Sequence, residues 1–448
     1  YAAALAYSDD QIGRLVDALR KTGELDNTLI IYIQGDNGAS AEGGLLGEFY
    51  EQSFVNGVKD SLEYRLRHLD EIGGPKAYNH FPAGWAWATN APFQYYKQIG
   101  SHFGGLRDGL VMSWPDRIKA DGRMRQQFHF VSDIMPTILD ATGVEAPETL
   151  DGTRQMPLDG ISMTYTFDQP DAPSRRKTQV FEMLQNLAIY QEGWWAATKP
   201  VKAPWEIFRY QQIDPDARQW ELYDITKDYS QAHDLAEKYP EKLASLKELF
   251  WKEAERNKIL PLHDLSEGTE NMPTLAPSRS TYVYTNSTVG IPRKIAPRTN
   301  GRSFAISAEL ELTQGQGRGV IVTQGGRFGG YALYLKDGKP VFHYNAIGER
   351  QFTVAAQRPL TAGKRRLDVA FQADAPKLGA GGLLTISVDG VQIAQGRIDC
   401  TLADFWFTEG LDIGQDTMTP VSDDYTVADS TFDGRIEKIT ISLNQDPK

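Results

Sequence analysis

Asp36 and Asn37 stand between two glycines, in Gly35-Asp36-Asn37-Gly38, directly after the apolar run Thr28–Ile33. A carboxylate and an amide oxygen side by side offer two hard ligands for Ca2+ or Mg2+. Asp, Asn and Gly are also the ordinary residues of a turn, so the pair alone leaves both readings open. Further along, Lys97 closes Asn90-Ala-Pro-Phe-Gln-Tyr-Tyr-Lys97 and precedes Ser101-His102-Phe103-Gly104-Gly105. A lysine at the mouth of a buried strand can hold an anionic substrate and offset charge developing on its oxygens. A histidine beside it can donate a proton or a hydrogen bond. Taken singly, a lysine serves equally as a solvated surface group and a histidine as a satisfied core one. Cys400 is the only cysteine, which excludes an internal disulfide and a multi-cysteine zinc site and suits cytoplasm and periplasm equally.

These residues need elements to position them. In the first segment Leu5, Ile12, Leu15, Val16 and Leu19 recur at helical spacing before the stop Thr22-Gly23. The run Thr28–Ile33 predicts a strand buried on both faces of a parallel α/β sheet, with ligands gathering in the loop after it. Residues 40–92 read as a long surface excursion containing one helix near Leu62–Leu69; Leu110–Trp114 predicts a second strand and Phe128–Thr142 a helix. Short antiparallel strands are expected between 180 and 225, then a helix over Tyr239–Asn257. Beyond a polar, Pro-punctuated stretch the period changes to two, with Phe304, Ile306, Ala308, Leu310 and Leu312 alternating with polar residues. Asp337-Gly338 and Asp389-Gly390 between alternating runs mark hairpins, and repeated short strands predict a β-sandwich. The expected organisation is 1–165, 166–262, a linker over 263–300, and a sandwich over 301–448.

Across 448 residues the net charge of −12 argues against a general nucleic-acid partner, which needs clustered Lys and Arg. With 41% hydrophobic and 24% charged residues the chain is globular, and no apolar run approaches a membrane span. The first residue is Tyr1, inside the predicted helix, so the chain reads as the C-terminal part of something longer.

Gly35-Asp-Asn-Gly38, Pro92-Phe-Gln-Tyr-Tyr-Lys97, Ser101-His-Phe-Gly-Gly105, Ser132-Asp-Ile-Met-Pro-Thr137, Leu158-Asp-Gly-Ile-Ser162 and Trp220-Glu-Leu-Tyr-Asp224 follow in the order and at the spacings of the bacterial arylsulfatases. From Tyr1 to about Leu262 the chain resembles the C-terminal half of their catalytic domain. The resemblance implies an incomplete alkaline-phosphatase-like α/β core with a small antiparallel C-terminal subdomain. The region beyond 300 is similar to laminin-G or lectin-like sandwiches appended to larger sulfatases. Also implied are hydrolysis of a small-molecule or glycan sulfate ester, Ca2+ rather than Mg2+, and a formylglycine nucleophile made from a Cys/Ser-x-Pro-x-Arg motif. Asp36 and Asn37 would be second-half metal ligands, Lys97 the catalytic, sulfate-binding lysine, and His102 a second substrate-binding group.

Several family features are missing. Cys400 has Leu402 where Pro is required and Asp404 where Arg is required. Ser113-Trp-Pro-Asp-Arg117 fits the nucleophile pattern but occupies the strand after the Gly-Gly motif, the wrong place in the family, and is read as a coincidence. The early Asp-Asp metal pair is absent as well, since Asp9-Asp10 lies on the first helix. The expectation is therefore a calcium-dependent arylsulfatase part that needs its N-terminal half for activity. Two alternatives stand beside it: a phosphonate or phosphodiester hydrolase of the same superfamily, and a glycan-binding protein whose sandwich uses aromatics such as Tyr344 and Trp406.

Overall fold

The computed structural model describes residues 1–119, 121–206, 217–262, 279–285, 288–313, 317–403 and 409–444, apart from the side chain of Val55. Trp406 and residues 263–278 and 286–287 of the expected linker lie outside the described residues. The chain forms two compact units: Tyr1–Ser40 with Gly84–Glu270, and Ala41–Ala83 with Asn271–Lys448.

In the first unit, helix α1 (Ala2–Thr22) stops at Gly23, whose φ of 79° is the left-handed cap that glycine adopts without a Cβ penalty. Strand β1 (Ile30–Gln34) pairs with β2 (Gly109–Ser113), Gln34 opposite Gly109 and Ile30 opposite Ser113. The pairing is antiparallel, which corrects the expected parallel sheet, and β1 is only partly covered. An apolar run states how much cover a strand needs; its direction depends on a partner distant in sequence.

After α2 (Ile134–Thr142), β3 (Thr178–Met183), β4 (Asn186–Gln191), β5 (Trp194–Thr198) and β6 (Trp220–Asp224) form an antiparallel sheet in sequence order. Alternate residues divide its faces. Leu187, Ile189, Ala196 and Leu222 pack against Leu246, Phe250 and Ala254 of α3 (Pro240–Arg256), spaced four apart on one helical stripe. Ala188, Tyr190, Trp195, Ala197 and Tyr223 pack with Phe103 on the other face.

Two of the sequence motifs meet at a joint. Buried Asp133 receives His129 Nδ1 at 2.9 Å, the backbone N–H groups of Phe130 (3.1 Å) and Ile161 (2.7 Å), and the guanidinium of Arg176. Burial opposes its charge, yet the bonds from His129, Arg176 and the backbone hold its carboxyl well below the usual range. Gly160 must be glycine here, because a Cβ would stand 1.9 Å from the Ser132 carbonyl oxygen.

The second unit holds β7 (Thr281–Tyr284), β8 (Phe304–Leu312), β9 (Gly319–Gly326), β10 (Gly329–Lys336), β11 (Lys339–Asn345), β12 (Gln351–Ala355), β13 (Gly363–Ala373), β14 (Gly382–Val388), β15 (Val391–Ile398), β16 (Leu411–Ile413) and β17 (Arg435–Leu443). One sheet has the order β15-β14-β13-β8-β17-β7, the other β12-β11-β10-β9-β16, antiparallel throughout. Phe304, Ile306, Ala308, Leu310 and Leu312 are buried, as their alternation predicts. Asp337-Gly338 and Asp389-Gly390 turn their hairpins with both residues at positive φ, the geometry that matches strand twist.

The sequence reading left residues 41–83 with the α/β part, but their aromatics pack in the sandwich core: Phe49, Tyr50 and Tyr64 join Leu333, Phe342 and Ile347, and Tyr50 lies 5.5 Å from Phe328. Tyr344 is core as well, its hydroxyl accepting the Leu402 N–H at 3.0 Å.

Burial raises the carboxyl of Asp416 to about 6, against the Tyr425 hydroxyl that donates to it at 2.7 Å. A raised folded pKa means the folded chain keeps this proton longer than the unfolded one, so the group's contribution is fullest below about pH 4 and is lost as pH rises through about 6. Asp416→Asn is expected to flatten the fall in urea midpoint between those two pH values.

Candidate functional site

The loop after β1 is built by close backbone approach. Gly35 has φ +87°, and a Cβ on Gly38 would stand 1.6 Å from the Gly104 carbonyl oxygen. The Gly38 N–H donates to the Gly105 carbonyl at 3.2 Å. Asn90 fills the junction: its Oδ1 accepts the Ala39 N–H, and its Nδ2 donates to the carbonyls of Tyr95 and Gly104, each bond 2.9 Å. Lys97 then donates its own backbone N–H to the Ala39 carbonyl at 3.1 Å. The candidate metal-ligand pair and the lysine, about 60 residues apart in sequence, thus share one laced junction.

At the loop's tip Asp36 is exposed and Asn37 half-buried, with Asn37 Nδ2 donating to Asp36 Oδ1 at 2.7 Å. Asp108, just before β2, joins them. The register sets it beside Gly35, where its Oδ1 lies 3.4 Å from the position a Cβ would take. Burial, followed by repulsion from Asp36, pushes its carboxyl up to about 6. Two carboxylates and an amide oxygen suit a hard cation by donor type, so the residues present fit an ion of the Ca2+ or Mg2+ class.

His102 is placed differently. Its side chain is fully buried, with Nδ1 2.9 Å from Ser101 Oγ and Nε2 3.2 Å from Glu221 Oε2 on β6. Lys199 Nζ lies 3.6 Å from the other Glu221 oxygen. Burial opposes the Glu221 charge, but His102 and then Lys199 hold its carboxyl below the ordinary value. Around it, Trp195 Nε1 donates to the Ser101 carbonyl at 2.9 Å and the Phe103 N–H to Gln231 Oε1 at 2.7 Å. The His102 and Trp195 contacts fasten segment 101–105 to the four-stranded sheet, and the Gln231 contact ties it to the loop after β6.

Ser113 is exposed at the opposite end of the β1–β2 pair from Asp36. Asn90 and Asp108 were missed by sequence reasoning. Asn90 opens the segment that ends at Lys97, but an asparagine in a loop carries no signal of three long-range bonds; Asp108 becomes visible only through strand register.

Residues 1–144 match the sulfatase family model. An uncharacterized sulfatase of Schizosaccharomyces pombe is 29% identical over 253 residues, covering 56% of this chain and 42% of that protein. An arylsulfatase of Klebsiella aerogenes is 29% identical over 164 residues, covering 37% and 33%. Among solved structures, a complex with its substrate D-glucosamine-2-N,6-O-disulfate is 21% identical, covers 58% of this chain and 41% of that one, and superposes with a TM-score of 0.34. Residues 1–144 are thus similar to the sulfatases, and the chain spans less than half the length of these curated relatives.

Replacing Asn90 by Ala strips three backbone groups of their partner. Asn90→Ala is expected to lower the unfolding free energy by about 1–3 kcal/mol in chemical denaturation, and Gly38→Ala by at least as much, because a carbonyl must move.

Proposed function

We propose that this chain is the part of a calcium-dependent arylsulfatase that carries second-half metal ligands and the sulfate-binding lysine, and that it hydrolyses sulfate monoesters together with a formylglycine residue outside these 448 residues. The observation that carries this reading is the backbone bond from Lys97 to Ala39, which ties the lysine to the loop of Asp36 and Asn37. In this reading residues 1–40 and 84–165 belong to an alkaline-phosphatase-like core and 166–262 to its antiparallel subdomain, while the laminin-G-like sandwich over 301–448 also takes in β7 and segment 41–83.

Asp36 and Asn37 would hold the cation, and Ca2+ would suit them better than Mg2+, which demands near-ideal octahedral geometry and keeps its waters. When bound, the cation polarises the sulfate as a Lewis acid. The Lys97 ammonium binds a sulfate oxygen and offsets charge that grows as the ester bond breaks. His102, assigned to substrate by resemblance, is engaged by Ser101 and Glu221 and acts as a positioning residue for the Gly104-Gly105 turn.

Uncovered apolar surface supports the need for a further part of the catalytic domain. No residue of α1 is buried, and Leu15 is 65%, Val111 62% and Met135 54% exposed. Surfaces of this kind mark contact sites.

The test is turnover of 4-nitrophenyl sulfate, with 4-nitrophenyl phosphate and a phosphonate ester alongside. In the full-length protein Asp36→Ala and Lys97→Ala should each lower kcat/KM for the sulfate by about 100-fold or more. Unchanged values in both variants would remove these roles, and preference for the phosphorus esters would move the enzyme to the sister class. The 448-residue chain alone should show no turnover with Ca2+.

A further inference from the structure

Glu42, Glu51 and His80 each place one ligand atom within 4.8 Å of the other two, all three side chains half-buried. They come from the start, middle and end of segment 41–83 and belong to the sandwich-bearing unit, not to the Asp36 loop.

The surroundings of this cluster are short of polar partners. Glu48 exchanges both backbone hydrogen bonds with His80, at 2.8 and 2.9 Å, so the two side chains leave the ladder on the same face. The Glu48 Oε2 is buried and has no hydrogen-bond partner. Next to Glu51, Gln52 is 1% exposed with neither amide atom bonded, and Ser53 is fully buried with an unbonded hydroxyl. Buried polar atoms are almost always satisfied by protein, water or an ion. The unsatisfied atoms of Gln52 and Ser53 follow Glu51 in sequence, and that of Glu48 shares the ladder face of His80, an observation separate from the cluster itself.

The backbone is shaped to admit the imidazole. A Cβ on Gly43 would stand 2.8 Å from His80 Nδ1, and one on Gly47 would stand 2.7 Å from the His80 carbonyl oxygen. His80 Nδ1 lies 3.1 Å from the Gly43 amide nitrogen and 3.3 Å from the Phe81 carbonyl oxygen. In one tautomer the ring accepts from Gly43; in the other it donates to Phe81 and presents the Nε2 lone pair as a ligand, oriented by a carbonyl as metal-bound histidines usually are.

We propose that Glu42, Glu51 and His80 form a structural site for a divalent cation of the zinc class, which clamps the two ends of segment 41–83. The imidazole favours Zn2+ over the hard Ca2+ expected at Asp36, and two carboxylates balance its charge, with water the fourth ligand of the tetrahedron. By joining position 42 to position 80 the cation shortens the loop that must stay ordered for Phe49, Tyr50 and Tyr64 to remain in the sandwich core.

The experiment is calorimetric titration of the EDTA-treated chain with Zn2+, followed by Co2+ substitution read by its d–d absorption. The expected result is one Zn2+ per chain and a higher melting temperature on binding. Glu51→Gln and His80→Gln should each weaken binding at least tenfold and alter the Co2+ spectrum, while Asp36→Ala changes neither. Glu51 is half-buried, so Glu51→Gln should melt with the wild type when metal-free, which separates lost ligation from lost folding. No stoichiometric Zn2+ binding, or wild-type affinity in both Glu51→Gln and His80→Gln, overturns the proposal. Neither readout uses sulfate ester turnover, so this site and the catalytic reading stand or fall separately.

Discussion

A carbonyl oxygen can rest against position 38 because no Cβ stands there. That absence sets the arrangement of the first unit's candidate site. With Gly104 drawn in, Asn90 can reach three backbone groups at once, and Lys97 can lie close enough to bond Ala39. The chemistry-bearing side chains therefore sit on a scaffold of main-chain contacts, which fixes them more firmly than packing of their own long, flexible stems would. The same logic recurs at Gly160, where the missing side chain lets the Ile161 N–H reach the buried carboxylate of Asp133.

What could be read in advance followed the range of the interaction. The Asp-Gly hairpins and the alternation from Phe304 to Leu312 were legible because a turn and a period of two are local properties. Strand direction was not, because β1 shows how apolar it is and nothing about β2 lying antiparallel beside it. Asp36, Asn37 and Lys97 stood out by residue type, and a single main-chain bond ties their segments together. Residue type misled at His102, whose ring is committed to Ser101 and Glu221 inside the protein. It was silent at Asn90 and Asp108, whose importance is a matter of who sits opposite them.

The two units are threaded through one another in sequence. The chain passes from the first to the second after Ser40, returns after Ala83, and crosses again after Glu270. Three covalent crossings make the sandwich a poor cassette for recombination. A single cut near residue 270 yields a sandwich stripped of Phe49, Tyr50 and Tyr64 and leaves those aromatics bare on the other piece. Any ancestor that first joined these units had to gain the insertion and its receiving surface together, or gain the insertion first and tolerate its exposure. For the same reason proteolysis between the units need not release either one, since a nick at one crossing leaves two others holding.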